Sequence, residues 1–321
     1  RFRYLSACKI VYEIEYLNSF NFHNINISDY LFTANKKHCM SVCDEIIKRG
    51  LQLKWTSFAR VDTVSDAVLA KMKAAGCSAV SFGIESADPQ ILKTIKKGIT
   101  LKQVEDAVAM CRRAGIMPFA SFILGLPGET PQTIKETMEF GNRLKKQGLS
   151  FGFHLLAPFP GTEVREHSER HGIKILTDDW SQYHANRAIV ETPSVDHRTL
   201  DEIVVKWEQE YDDYLADIKV RMAENKASRE EIWEIENLEK IVLLYDLMMK
   251  NVIEQKGFWS HEGRPVSLQD NLKILTERIR SSVDTGPEML FDALHQALQQ
   301  GNLKCTDLNG NIRWQWVDFL N

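Results

Sequence analysis

The chain has 321 residues, 44% of them hydrophobic, and a formal net charge of −4. That is enough apolar material for one large domain and a smaller one, and the charge balance does not indicate a nucleic-acid surface. No run of about 18 apolar residues occurs, so no membrane span is expected, and the opening residues do not read as a secretory signal.

In chain order, Ile10 to Leu17 predicts a helix, and a first strand is expected near residue 25. Asn35 to Arg49 puts Met40, Cys43, Ile46 and Ile47 on one helical stripe, closed by Gly50. Leu51 to Phe58 reads as a strand. Ser65 caps a helix through Ala75 that Gly76 ends, and Ala79 to Gly83 is the next strand. Asp88-Pro89 opens a short helix that Gly98 stops. Thr100 and Gln103 form a capping box for a helix that buries Leu101, Val104, Val108 and Cys111. Gly115 ends it before a strand from Met117 to Leu124. Thr130-Pro131 opens a helix with Ile134, Met138, Gly141 and Leu144 on one face; Gly148 stops it, and Ser150 to Leu156 is the last clear strand.

Five strands alternating with helices predict an α/β fold: a partial, open, TIM-like (β/α) barrel of parallel strands with right-handed crossovers. The first helix has no strand ahead of it, which is half a unit. Together with Arg1 in place of Met, this sets the expectation that the sequence is a piece of a longer chain, with a strand and its loop upstream. The strand at Ile25 to Ser28 is then an exposed barrel edge, and self-association through it is expected. The barrel region is assigned to residues 1–175, a connecting helical segment to 176–222 and a mainly helical accessory domain to 223–321. Within the last two, Thr199 to Ala216, Glu230 to Gln255, Leu268 to Ser281 and Pro287 to Gln299 predict helices. Asn309-Gly310 predicts a hairpin turn, with Ile312 to Trp316 as its second strand.

Two segments carry most of the chemistry. Ser81-Phe82-Gly83-Ile84-Glu85-Ser86 and Phe122-Ile123-Leu124-Gly125-Leu126-Pro127-Gly128-Glu129 are apolar runs that end in glycine, carboxylate and hydroxyl. Buried strands deliver polar groups in this way to the carboxyl edge of a sheet, where ligands bind. The six cysteines (Cys8, Cys39, Cys43, Cys77, Cys111, Cys305) are scattered, which reads as reduced thiols of the cytosol rather than a disulfide framework.

The run Ala59-Arg60-Val61-Asp62, Gly83-Ile84-Glu85-Ser86, Lys96-Lys97-Gly98-Ile99-Thr100, Gly115-Ile116, Leu124 to Thr130 and Pro158-Phe159-Pro160-Gly161-Thr162 resembles the radical S-adenosylmethionine superfamily. Among its branches it most resembles the cobalamin-binding class, over roughly residues 1 to 175. The resemblance implies three cysteines spaced C-x-x-x-C-x-x-C that hold a [4Fe–4S] cluster, and S-adenosylmethionine bound to the open iron. Reductive cleavage then yields methionine and a 5′-deoxyadenosyl radical, or supports methyl transfer through cobalamin. The triplet is absent here. Cys39 and Cys43 have the first spacing, but Ile46 holds the third position, and the helical stripe turns both thiols inward. The expectation is that the cluster ligands and the cobalamin domain both lie outside this sequence, and that the chain is inactive alone.

The site residues each admit two readings. Asp29 receives the substrate ammonium or caps a turn. Arg60 pairs with a ligand carboxylate or bridges to Asp62 or Asp66. Glu85 and Ser86 bond the ribose hydroxyls or methionine end, or cap a helix. Ile123 and Gly125 line an adenine slot or form a tight turn before the next helix. His167 and His171, four apart, form a metal pair only if a third ligand is near, and His154 reads as a core histidine. A non-catalytic binding module with a degenerate barrel is the alternative, and an acid/base enzyme using Glu85 and Glu129 a further one. The substrate is not legible.

Overall fold

A computed structural model of the chain describes residues 4–20, 22, 24–260, 267–308 and 310–317. Arg1 to Arg3, and Asn309 of the predicted hairpin turn, lie outside that set. Two compact units form, Arg1–Gln209 and Glu210–Asn321. The division falls inside the stretch 176–222 read from sequence as a connecting segment.

The first unit alternates helix and strand: α1 (Ala7–Ser19), β1 (Asn24–Ile27), α2 (Lys36–Lys48), β2 (Lys54–Ala59), α3 (Asp66–Ala74), β3 (Cys77–Glu85), α4 (Pro89–Thr94), α5 (Leu101–Ala114), β4 (Met117–Leu124), α6 (Pro131–Lys145) and β5 (Ser150–Leu155). The strands pair in sequential order β1-β2-β3-β4-β5, all parallel. The sheet is open, with β1 and β5 as edges. No helix among the described residues is long and apolar enough to cross a membrane.

Local chemistry fixes these boundaries. Ser65, Asp88, Thr100 and Thr130 each accept a backbone N–H of the helix they precede, and Thr100 with Gln103 completes the capping box. Two boundaries correct the sequence reading. The strand begins at Lys54 rather than Leu51, and α4 ends at Thr94, well before Gly98.

Along β3 burial alternates. Val80, Phe82 and Ile84 are buried, while Ser81, Gly83 and Glu85 are part-exposed. On β4, Ala120, Phe122 and Leu124 are buried, while Ser121 and Ile123 remain part-exposed. The period of two therefore sends one set of side chains into the core beneath the helices and leaves the other facing an open concavity. Within the core Trp55 is fully buried, and its indole N–H donates to the Ala75 carbonyl at 2.7 Å. The next residue, Gly76, leaves no room for a side chain: at φ +95 a Cβ there would sit 2.3 Å from the Leu53 carbonyl oxygen. Gly76→Ala is therefore expected to cost about 2 kcal/mol, read as a lower urea midpoint. An unchanged midpoint would contradict this packing.

Two short strands, β6 (Lys174–Ile175) and β7 (Val190–Glu191), pair antiparallel after α7 (Glu163–Glu166). The long helix α8 (His197–Ala223) follows. The second unit contains α9 (Arg229–Met249), α10 (Val252–Lys256), β8 (Phe258–Ser260), α11 (Leu268–Ile279), α12 (Pro287–Gln299), β9 (Leu303–Leu308) and β10 (Asn311–Trp316). The single helix expected from Glu230 to Gln255 is two, broken at Asn251, which adopts φ +50. The predicted strand at Ile312 to Trp316 is present as β10, between β8 and β9 in an antiparallel sheet that packs with Leu290 and Leu294 in one core.

Candidate functional site

The carboxyl end of β3 is where the sheet departs from regularity. Its register with β4 shifts between Gly83 and Glu85, and Glu85 itself sits at φ +73, a conformation non-glycine residues seldom adopt. The bulge re-aims the Glu85 carboxylate, which accepts from Lys97 Nζ at 2.6 Å. Both side chains are largely shielded, 17% and 19% exposed, so this pair is screened far less than a surface bridge. Gly83 makes the room: a Cβ there would fall 2.5 Å from Glu85 Oε1 and 3.1 Å from Lys97 Nζ. Lys96, next in chain, is also left-handed at φ +56. Two strained residues meeting at one cleft is the pattern of a functional site.

That cleft has a volume of about 360 Å³. Glu85, Lys96 and Lys97 line its polar side, and Ile123, Leu126 and Leu156 its apolar side. Glu163 of α7 sits at the mouth, where it accepts from Lys96 Nζ at 2.6 Å and lies 3.6 Å from His171 Nε2. Lys96 holds the Glu163 carboxyl below the usual glutamate range.

Among the sequence candidates, Glu85 and Ile123 come together on this cleft. The remaining four are engaged elsewhere. Asp29 Oδ1 accepts from the Leu31 N–H at 2.9 Å, a local turn, and is not among the cleft-lining residues. Arg60 bridges bidentately to Asp62, with Nε and Nη2 each at 2.9 Å. Its guanidinium also donates to the Lys97 carbonyl at 2.9 Å, so it braces the segment that presents Lys97. Ser86 is fully buried; its hydroxyl accepts from the Asp88 N–H at 3.1 Å and lies 3.4 Å from the Thr137 hydroxyl on α6. Gly125 packs near Leu200 and Val190, and its N–H donates to Glu129.

Glu129 belongs to the same turn. It is wholly buried, and Oε2 accepts from the Gly125 and Leu126 N–H groups at 2.6 and 3.0 Å. Oε1 has no partner. Burial outweighs those two bonds and pushes the carboxyl from 4.5 to about 7.

Lys97 is the cleft-lining charge that the sequence reading did not assign. Its signal was the paired Lys96-Lys97 before Gly98, which carried the resemblance but was given no role. The residues fit an amino-acid–nucleoside ligand. A carboxylate and an ammonium stand at one end of an apolar slot, so a diol or amine and a carboxylate each find a partner, and a flat base finds Ile123 and Leu156. They do not fit an iron–sulfur cluster. Cys39 and Cys43 are fully buried, and the Cys43 thiol is pushed far up by its bond with Cys39 and by burial. Burial likewise raises Cys77 and Cys111 to about 12. No group of three metal-ligating side chains exists among the described residues, which leaves His167 and His171 without a third ligand.

The Radical SAM superfamily model matches residues 1–141. An uncharacterized methyltransferase of Pyrococcus horikoshii is 36% identical over 185 residues, 57% of this chain and 39% of that protein. An anaerobic magnesium-protoporphyrin IX monomethyl ester cyclase of Rubrivivax gelatinosus is 27% identical over 197 residues, 60% of this chain and 34% of that protein. The cobalamin-dependent S-adenosylmethionine radical enzyme OxsB shares the fold with a TM-score of 0.54 at 16% identity, covering 94% of this chain and 55% of that one. The chain thus spans well under two thirds of the length of each of these proteins. Residues 1–141, which contain β1 to β4 and the Glu85–Lys97 pair, are the part of the chain that matches the radical SAM superfamily model.

Proposed function

We propose that this chain carries the S-adenosylmethionine-binding part of a cobalamin-class radical S-adenosylmethionine enzyme, and that the whole protein transfers a methyl group. The observation that carries the reading is the shielded Glu85–Lys97 pair held against an apolar slot by a strand bulge. The similarity to a methyltransferase over 185 residues supports the reaction class.

S-adenosylmethionine, when bound beside a reduced cluster, supplies either a 5′-deoxyadenosyl radical or a methyl group. The chain's own residues bind and orient. The Lys97 ammonium has three donors, and one is engaged by Glu85, so two remain for a ligand carboxylate. The Glu85 carboxylate accepts from ribose hydroxyls. Arg60 fixes the Lys97 backbone, and Glu129 fixes the turn after Ile123. Ile123, Leu126 and Leu156 exclude water from the base. In this reading the cluster thiolates, and the domain that holds cobalamin, lie outside the 321 residues. The unpaired edge of β1 completes the reading as a surface for self-association.

Calorimetry with S-adenosylhomocysteine tests the binding claim, because that ligand keeps the amino-acid and adenosyl ends without the reactive sulfonium. Saturable one-site binding is the expected result, and its absence would sink the proposal. Anaerobic reconstitution with iron and sulfide is expected to leave the chain colourless, since its buried thiols cannot supply three thiolates. A stoichiometric four-iron species would show that the thiol assignment is wrong while leaving the ligand site intact.

A further inference from the structure

We propose that the second unit carries a docking groove for a basic amphipathic helix of a partner protein, built from the last turns of α8, from α9, the 281–286 loop and the start of α12. The groove has a volume of about 1090 Å³, and every residue lining it falls within Glu210–Asn321. Leu215, Leu238, Val242, Val283 and Met289 contribute apolar surface to it.

Beside the groove, α9 exposes an apolar stripe. Ile241, Val242, Tyr245, Met248 and Met249 are 56%, 62%, 60%, 49% and 64% exposed. Their spacing of i, i+1, i+4, i+7 and i+8 puts them on one side of the helix. Single exposed apolar residues are ordinary, but five within nine residues of one helix mark an interaction surface. Two of the five are methionines, which adapt to a partner's shape.

Charge selects the occupant. Lys219 pairs with Glu239 at 2.6 Å and Lys250 with Asp246 at 2.9 Å, so both groove lysines are already engaged. Asp284 and Glu288 also line the groove and are exposed, and neither has an ion pair among the described residues. The groove is therefore negative where it meets solvent, which suits Lys or Arg side chains flanking an apolar stripe. The same charge opposes nucleic acid, an anionic lipid surface and a second copy of this face. The walls are helices and the 281–286 loop, and no strand edge lines the groove to pair with an extended peptide. The occupant must then satisfy its own backbone, which a helix does.

The probe is a fluorescein-labelled peptide of about 18 residues with Leu on one helical face and Lys on the other, added to the full chain and followed by anisotropy. Saturable binding at micromolar concentration is expected at physiological salt. Val242→Asp is expected to raise Kd about tenfold, and because Val242 is 62% exposed this change does not disturb the core. Asp284→Lys combined with Glu288→Lys is expected to do the same and to flatten the salt dependence. A peptide with Glu in place of Lys is expected not to bind. Absence of saturable binding overturns the proposal, as does a Kd unmoved by either variant or equal binding of the Glu peptide. Two further outcomes overturn it in favour of another occupant. One is a dimer by sedimentation that Val242→Asp converts to monomer. The other is co-sedimentation with phosphatidylserine vesicles that Val242→Asp abolishes.

Discussion

Lys97→Met is expected to weaken S-adenosylhomocysteine binding about 50-fold while leaving adenosine binding within about twofold of the parent. The asymmetry follows from the cleft. Lys97 is placed to meet a ligand carboxylate, which adenosine lacks, whereas Glu85 is placed to accept from the ribose, which both ligands carry. Glu85→Ala is therefore expected to weaken both ligands by about tenfold or more. The two side chains touch at 2.6 Å, so the double variant should lose less than the single variants predict together. Calorimetry on the four proteins with the two ligands reads all of this directly. Equal losses for adenosine and S-adenosylhomocysteine in Lys97→Met would remove Lys97 from the amino-acid end of the site.

The second large effect concerns pH. Burial lifts Glu129 from 4.5 to about 7 in the folded chain. Between those values the folded state holds a proton that the unfolded chain has released. Stability from this group is thus fully present below about pH 4.5 and is lost as pH rises through 7, by about 3 kcal/mol in all. Glu129→Gln keeps an acceptor for the Gly125 and Leu126 N–H groups and removes the titration. Denaturant midpoints of parent and variant at pH 5 and pH 8 give the comparison. The parent-minus-variant difference should fall by about 2.5 kcal/mol between the two, since part of the effect is already lost at pH 5, and that sign separates Glu129 from carboxylates of opposite sign such as Asp62, held low by Arg60. A difference that stays constant with pH would show that Glu129 is charged throughout.

Much of the first unit was legible because its signals are local. Ser65, Asp88 and Thr100 cap the helices they were expected to cap, and Asn35 and Thr130 cap the helices expected to open at them. Glycines end or follow these helices, and apolar runs mark strands buried on their helix-facing side. The site was legible only at Glu85 and Ile123. Arg60 and Ser86 lie at strand ends, as read, but partner choice is a tertiary matter: Asp62 and Thr137 decide where they point. Lys97 lies outside any regular element, and its role depends on a bulge twelve residues earlier. In the second unit the apolar pattern runs unbroken through Asn251, so the left-handed break there is invisible to periodicity. A three-residue strand such as Phe258–Ser260 is too short to show any alternation. Leu303–Leu308 does alternate in its first residues, with Leu303 inward and Lys304 outward, and that signal was available.

The seclusion of the thiols has a practical reach. Cys39, Cys43, Cys77 and Cys111 are buried, Cys305 is half-buried and raised to about 11, and Cys8 on α1 is exposed. A maleimide reacts with thiolate at a rate set by access and ionisation, so Cys8 should modify first by a wide kinetic margin. The native sequence thereby offers a single attachment point for a spin label or dye, with no cysteine-free background to engineer. Loss of that selectivity under mild denaturant would report the opening of the helical layer over the sheet, one buried sulfur at a time.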